Sequence, residues 1–294
     1  MIKNTMQILN LINKEKSDID YSISRFPDGE VQITLDGINH KDKVLVKCRI
    51  TSAEELFIVM QVADILNRHA VIWWLDVYYL MGSRMDRVMD FNRPFTLRIM
   101  ANVLNNLGAF NVNVFVPHSD RSSLEGFHRA VSIPKEVGIA LDGFDADSIV
   151  SYAGYCLIVP DKGAYNRLGF EAREYYHNNI VVVNKVRDIA TGKIQKIEIT
   201  NPDVVLSTNK KFIIVDDLCD GGGTFCGIAE EIRKIKPDAS LSIFVAHMVN
   251  PKGIENLSKT FDHVWFTNSY KDWKKYWEEQ SMPFPENVTQ IEVV

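Results

Sequence analysis

The sequence predicts an α/β protein of two domains, each a mainly parallel sheet flanked by helices. Three observations predict it. Short apolar runs alternate with longer amphipathic segments along most of the 294 residues, and that alternation marks a parallel sheet with helices on both faces. The pattern occurs twice, once before about Gly143 and once after it. The chain is also long enough for two separate cores. The expected domains are residues 1–143 and 144–294, with the last residues free to return to the first. The join is placed in "IPKEVGIALDGFDADSIVSYAG".

Each element follows from its periodicity. The runs "KVLVKCRI", "AVIWWL", "NVNVFVP", "YCLIVPD", "NIVVVNK", "FIIVDD" and "SLSIFVAH" are short, apolar and rich in β-branched residues, so they read as strands. Between them, "AEELFIVMQVADILNRH", "RPFTLRIMANVLNNLG" and "TFCGIAEEIRKIK" repeat apolar residues at helical spacing. Trp273 and Trp277 lie one helical turn apart, which predicts packing rather than ligand contact for these rings and Trp265.

Composition excludes several classes. The formal charge of -5 disfavours a nucleic-acid partner, which needs a broad basic face. Cys48, Cys156, Cys219 and Cys226 show neither paired nor metal-like spacing, so a reducing compartment is expected. The amino-terminal stretch mixes charged and amide residues into its apolar positions, unlike a signal peptide. The most apolar run, Ala70 to Gly82, is too short to span a bilayer and contains Asp76. A soluble, cytoplasmic protein is expected.

The chemistry concentrates in "FIIVDDLCDGGGTF", Phe212 to Phe225. A strand feeding a glycine loop that opens a helix can hold phosphate on backbone N–H groups. A P-loop is excluded, because no lysine follows until Lys234, and "TGKIQ" lacks the hydroxyl residue after its lysine. A dinucleotide fingerprint is excluded too: Gly227 comes one residue late, and Asp216, Asp217 and Asp220 would repel a pyrophosphate. A ribose phosphate suits the loop better. Adjacent carboxylates can accept from the ring hydroxyls while the amides of Gly221, Gly222, Gly223 and Thr224 take the 5-phosphate. The plainer reading is a tight turn with capping acids.

This loop resembles the phosphoribosyl-binding signature of the type I phosphoribosyltransferase fold. With "RFPDGE", Arg25 to Glu30, the resemblance narrows to the ribose-phosphate diphosphokinases, the phosphoribosyl pyrophosphate synthetases. In that family the phenylalanine packs on adenine and the acids bond its edge, which implies those roles for Phe26, Asp28 and Glu30. "GSRMDRVMDFNRP" resembles the ATP-binding stretch and implies Arg84 and Asp86. "VPHSD" and "VPDKGAYNR" resemble the magnesium-linked segments and imply His118 and Asp161. "VVVNKVRD" implies Lys185 and Arg187 as the cations that stabilise the diphosphoryl group in transfer. The resemblance covers nearly the whole chain and implies Mg2+, ATP, a ribose 5-phosphate acceptor and a homo-oligomer.

Three departures bear on the substrate. Met85 stands where the family usually has glutamine, "VMDF" replaces a charged loop, and Gly221 replaces a threonine or serine that bonds the terminal phosphate. A wider loop mouth fits a larger acceptor such as ADP-ribose. A non-catalytic regulatory homologue and a plain phosphoribosyltransferase are the remaining alternatives. The four matched residues Lys185, Arg187, His118 and Asp161 disfavour the first, and "RFPDGE" with a second α/β domain disfavours the other.

Overall fold

A computed structural model describes residues 6–38, 43–119, 128–129, 155–161, 164, 179–187, 194–209 and 211–294. The expected join at residues 133–154 lies outside the described residues. The chain divides into two compact units, Met1–Ala130 with Val294, and Val131–Val293.

The first unit contains strand β1 (Met6–Asn10), a hairpin of β2 (Asp20–Arg25) and β3 (Val31–Asp36), β4 (Lys43–Ile50), helix α1 (Ala53–Arg68), β5 (Ile72–Leu80), α2 (Thr96–Asn105), β6 (Asn111–Val114) and β7 (His128–Arg129). The sheet runs β1-β4-β5-β6-β7 with every pairing parallel. Strand order follows chain order, so right-handed crossovers place α1 and α2 on one face. Among the described residues of this unit no further α-helix covers the second face. Strand β4 alternates buried and half-buried positions, and Val44, Val46, Cys48 and Ile50 enter the core with Leu75, Leu97 and Leu104.

Helix α1 begins at a capping box, in which Ser52 accepts from the Glu55 N–H and Glu55 accepts from the Ser52 N–H. Gln61 on α1 then holds the hairpin. Its Oε1 accepts from the Ile33 N–H at 3.1 Å and its Nε2 donates to the Val31 carbonyl at 2.9 Å, so one amide pairs with β3 as a strand would.

The second unit contains β8 (Tyr155–Val159), β9 (Ile180–Arg187), β10 (Ile194–Ile199), α3 (Pro202–Ser207), β11 (Lys211–Cys219), α4 (Gly223–Ile235), β12 (Leu241–Met248), α5 (Pro251–Thr260), β13 (His263–Thr267), α6 (Trp273–Glu279) and β14 (Val288–Ile291). Its sheet runs β10-β9-β8-β11-β12-β13-β14, parallel except for the β9–β10 pair. Every residue of β12 is buried, as expected for a central parallel strand covered on both faces. Trp273 and Trp277 are buried edge to face at 6.1 Å, and the Trp273 indole donates to the Met248 carbonyl at 2.7 Å.

Candidate functional site

The second unit brings Asp161, Lys185, Asp216 and Asp217 to the carboxyl edge of the sheet, where open α/β sheets bind ligands. Strand β8 pairs through Ile158 with Val181 of β9 and Ile214 of β11. Counted from that line, Asp161, Lys185, Asp216 and Asp217 all lie just beyond it, on or just past three neighbouring strands. Strand β9 runs past its last partner on β8 and continues as a ribbon with β10, where Lys185 faces Ile197 and Arg187 faces Ile194. The lysine therefore sits within the strand, which ends two residues later than its sequence run suggests. The Arg187 side chain lies outside the described residues.

Lys185 and Asp161 meet. The ammonium is 2.7 Å from Asp161 Oδ2, with the lysine side chain 9% and the carboxylate 40% exposed. The second oxygen, Oδ1, accepts from the Ala164 N–H at 2.8 Å. A half-exposed carboxylate held on one side by a cation can still present lone pairs to a hard metal. Among the described residues no three His, Cys, Asp or Glu side chains converge. Magnesium does not require such a cage, because it keeps waters and takes one or two carboxylates plus substrate phosphates. Asp161 fits that cation, whereas the imidazole of His118 suits it less well.

Strand β11 continues through the acidic pair, so Asp216 and Asp217 are strand residues and not loop residues. Asp216 is 8% and Asp217 1% exposed, and Asp216 Oδ1 accepts from the Asp217 N–H at 3.0 Å. The chain leaves the strand at Cys219. Gly222 adopts the left-handed region at φ 77° as the residue preceding α4, and no side chain caps that helix. The N–H groups of Gly221, Gly223 and Thr224 make no hydrogen bond to a described residue, which leaves three donors at a helix amino terminus. Burial, then the neighbouring Cys226 and aspartates, pushes the Cys219 thiol well above its usual range, so it is unreactive. Asp220 Oδ1 accepts from Asn250 Nδ2 at 2.8 Å.

In the first unit, "RFPDGE" is the hairpin tip. The Gly29 N–H donates to the Phe26 carbonyl at 2.9 Å and the Phe26 N–H to the Glu30 carbonyl at 2.8 Å. Gly29 alone in the tip has positive φ, at 95°, which makes this a type I turn closed by a glycine bulge. Phe26 is 49% exposed, and Asp28 and Glu30 are exposed beside it. Arg25 anchors the tip, donating to the Gly29 carbonyl at 2.8 Å and pairing with Glu54 at 2.7 Å.

Beyond β5, Asp86 is 6% exposed and accepts two bonds from the Arg87 guanidinium, at 2.8 and 3.1 Å. Burial alone would raise the Asp86 carboxyl. Hydrogen bonds from Arg87 and Ser119, with the fields of Arg87 and His118, hold it below its ordinary value instead. Arg84 is exposed, and His118 is half-buried just after Val116, whose φ of 38° is unusual for a β-branched residue. Asp86 is thus a buried brace joining the loop after β5 to residues 118 and 119. Sequence reasoning missed Arg87, which adjoins the buried acid, and missed Asn250 and Asn256 on α5.

With this geometry described, the relatives can be placed. Residues 155–278 match the family model described as "Phosphoribosyl transferase domain". A ribose-phosphate pyrophosphokinase of Pyrococcus furiosus is 30% identical over 272 residues, spanning 87% of this chain and 88% of the relative. One from Xylella fastidiosa (strain 9a5c) is 26% identical over 246 residues, spanning 81% and 73%. The crystal structure of phosphoribosylpyrophosphate synthetase from Mycobacterium smegmatis matches with a TM-score of 0.73 over 98% of this chain and 94% of that one, at 16% identity. The fold is therefore of the phosphoribosyltransferase type, with mainly parallel sheets flanked by helices. The chain belongs to the ribose-phosphate pyrophosphokinase family, whose enzymes are diphosphotransferases. No helix among the described residues is long and apolar enough to cross a membrane.

Proposed function

We propose that this protein transfers the diphosphoryl group of ATP to the anomeric hydroxyl of ribose 5-phosphate, giving phosphoribosyl pyrophosphate and AMP. The observation that carries this reading is the Lys185–Asp161 pair at the sheet edge that also holds Asp216, Asp217 and the glycine loop. The anomeric oxygen attacks the β-phosphorus, the bond from that phosphorus to the α–β bridging oxygen breaks, and AMP leaves with the oxygen. The hydroxyl proton passes to solvent.

The protein's task is positioning and neutralisation of charge. Lys185 and Arg187 stabilise the group in transfer. Asp216 and Asp217 bond the ribose hydroxyls, with Asp220 at the loop's start. The N–H groups of the loop from Gly221 to Thr224 take the 5-phosphate. Phe26 stacks on adenine with Asp28 and Glu30 at its edge, and Arg84 and Asp86 complete the ATP site. Magnesium would offset phosphate charge when bound, with Asp161 proposed as one ligand and, from the family resemblance, His118 as another. The reading includes a cytoplasmic homo-oligomer; its four cysteines are all free thiols.

Phe26 tests the nucleotide side. Replacing it with alanine removes one base–aromatic stack, worth about 1–3 kcal/mol, so the Michaelis constant for ATP should rise on the order of tenfold with folding unchanged. An unaltered constant would remove the hairpin from the ATP site.

A second reading has a specific observation behind it. A Cβ at Gly221 would meet nothing within 4 Å, and Gly221 is not among the residues with positive φ. Neither space nor backbone requires glycine there, so the open mouth suits a larger acceptor such as ADP-ribose, with the same transfer giving ADP-ribose pyrophosphate for NAD+ synthesis. Gly221→Thr restores a hydroxyl. It should shift the preference toward ribose 5-phosphate by about 2–12-fold, the worth of one hydrogen bond. An unchanged ratio of specificity constants for the two acceptors would exclude the ADP-ribose reading.

A further inference from the structure

We infer that helix α5 acts as a template for the phosphate loop, with Asn256 and Gly253 as positioning residues for the acceptor. The inference rests on the reading that residues 220–224 hold the acceptor phosphate. Asn250, which caps α5, and Gly253, Asn256 and Leu257 on one face of it follow at helical spacing, and all four meet the loop.

Two consecutive peptide planes are fixed by these contacts. The Gly221 carbonyl accepts from Asn256 Nδ2 at 2.8 Å. A trans peptide points its N–H opposite to its carbonyl, so Asn256 sets the direction of the Gly222 N–H as well as of the Gly221 carbonyl. That plane lies between two glycines, the residues least able to resist rotation. In the preceding peptide, the Asp220 carbonyl oxygen lies where a Cβ on Gly253 would overlap it, and such a Cβ would also come within 2.9 Å of the Met248 sulfur. With that carbonyl directed at α5, the Gly221 N–H faces away from α5, toward the open side of the loop. Asn250 adds a third tie. Its Oδ1 accepts from the Lys252 N–H at 3.0 Å to begin α5, while its Nδ2 holds the Asp220 carboxylate.

The loop's donors are therefore aimed from α5, by groups that need not touch the acceptor. This explains how a loop with three glycines can hold one shape before ligand arrives, which lowers the ordering cost of binding. A glycine at position 253, within a helix, follows from the same contact.

The test uses the full-length protein. Asn256→Ala should raise the Michaelis constant for ribose 5-phosphate about 2–12-fold. The turnover number and the constant for ATP should stay level, and the melting temperature should not move. Asn256→Asp, which opposes a carboxylate to the Gly221 carbonyl, should do more than the alanine variant, and Asn256→Gln should recover part of the loss. Gly253→Ala should act in the same direction more strongly; if it fails to fold, the Asn256 series decides alone. Amide NMR signals supply the second readout. Asn256→Ala should displace the Gly221 and Gly222 signals without ligand, and ribose 5-phosphate should displace them in the parent. Signals that respond to the variant in the absence of any parent response to ribose 5-phosphate would leave the template standing and overturn the acceptor reading. Signals that respond to ribose 5-phosphate in the parent and stay put in Asn256→Ala would overturn the template. A parallel rise in both Michaelis constants would also overturn it.

Discussion

Replacing Lys185 with alanine is expected to lower turnover by about 10²–10³-fold, the usual cost of removing one preorganised transition-state donor. The Lys185 ammonium lies 2.7 Å from Asp161 and its side chain is 9% exposed, so it is held in a fixed place before any substrate binds. A fixed cation needs no reorganisation as charge develops, whereas a mobile surface lysine would. The loss should fall on turnover, with ATP binding retained in calorimetric titration. The melting temperature should change little, because Asp161 is 40% exposed and keeps its bond from the Ala164 N–H. Lys185→Arg keeps the charge but changes its shape and should recover part of the rate. Turnover in the alanine variant within tenfold of the parent would remove Lys185 from the transition state.

The second large effect is on stability. Phe244 is fully buried at the middle of β12, on the face of the sheet opposite Ile243 and Val245. Phe244→Ala should cost about 3–5 kcal/mol, because the lost transfer energy adds to that of a cavity that a rigid sheet cannot close. For a unit of this size that corresponds to a fall on the order of 10 °C in the melting temperature of the second unit. Scanning calorimetry should resolve it. Saturating ribose 5-phosphate should restore part of the loss if it binds the native unit, by mass action. A fall of less than 2–3 °C, roughly 1 kcal/mol, would mean that the second unit does not melt as one cooperative body.

The elements that were legible in the sequence share a property: their own side chains declare them. Strands β4, β5, β8, β9, β11 and β12 are apolar because both faces or one full face are buried. Helices α1, α2 and α4 carry long amphipathic stripes. Helix α5 does not. It opens with Pro251, contains Gly253, and buries only Gly253, Ile254 and Leu257, so its composition resembles a loop. Strands β1, β13 and β14 mix amide, hydroxyl or imidazole residues among two or three apolar ones, so no run long enough to show a strand results. The hairpin strands β2 and β3 carry no apolar run to read, because they form a separate two-stranded sheet of mostly exposed positions held by Gln61 on α1.

The candidate site divides along the same line. Asp216, Asp217 and the three glycines stood out because acids beside glycines at a strand end are unusual in composition. The meeting of Asp161 with Lys185 needed the pairing of β8 with β9, which local sequence does not encode. Asn256 could not be found by motif, since it acts on a carbonyl 35 residues away and carries no charge. Asp86 and Arg87 are adjacent in sequence, yet only burial shows the acid to be a brace and the arginine its partner.

The central claim is tested most directly by AMP release from ATP and magnesium by the purified protein. Ribose 5-phosphate and ADP-ribose are supplied in turn as acceptor. AMP formed in step with the added ribose 5-phosphate, and absent without acceptor, is the predicted result. No AMP with either acceptor, while ATP still binds, would contradict it and leave a nucleotide-binding homologue without diphosphoryl transfer.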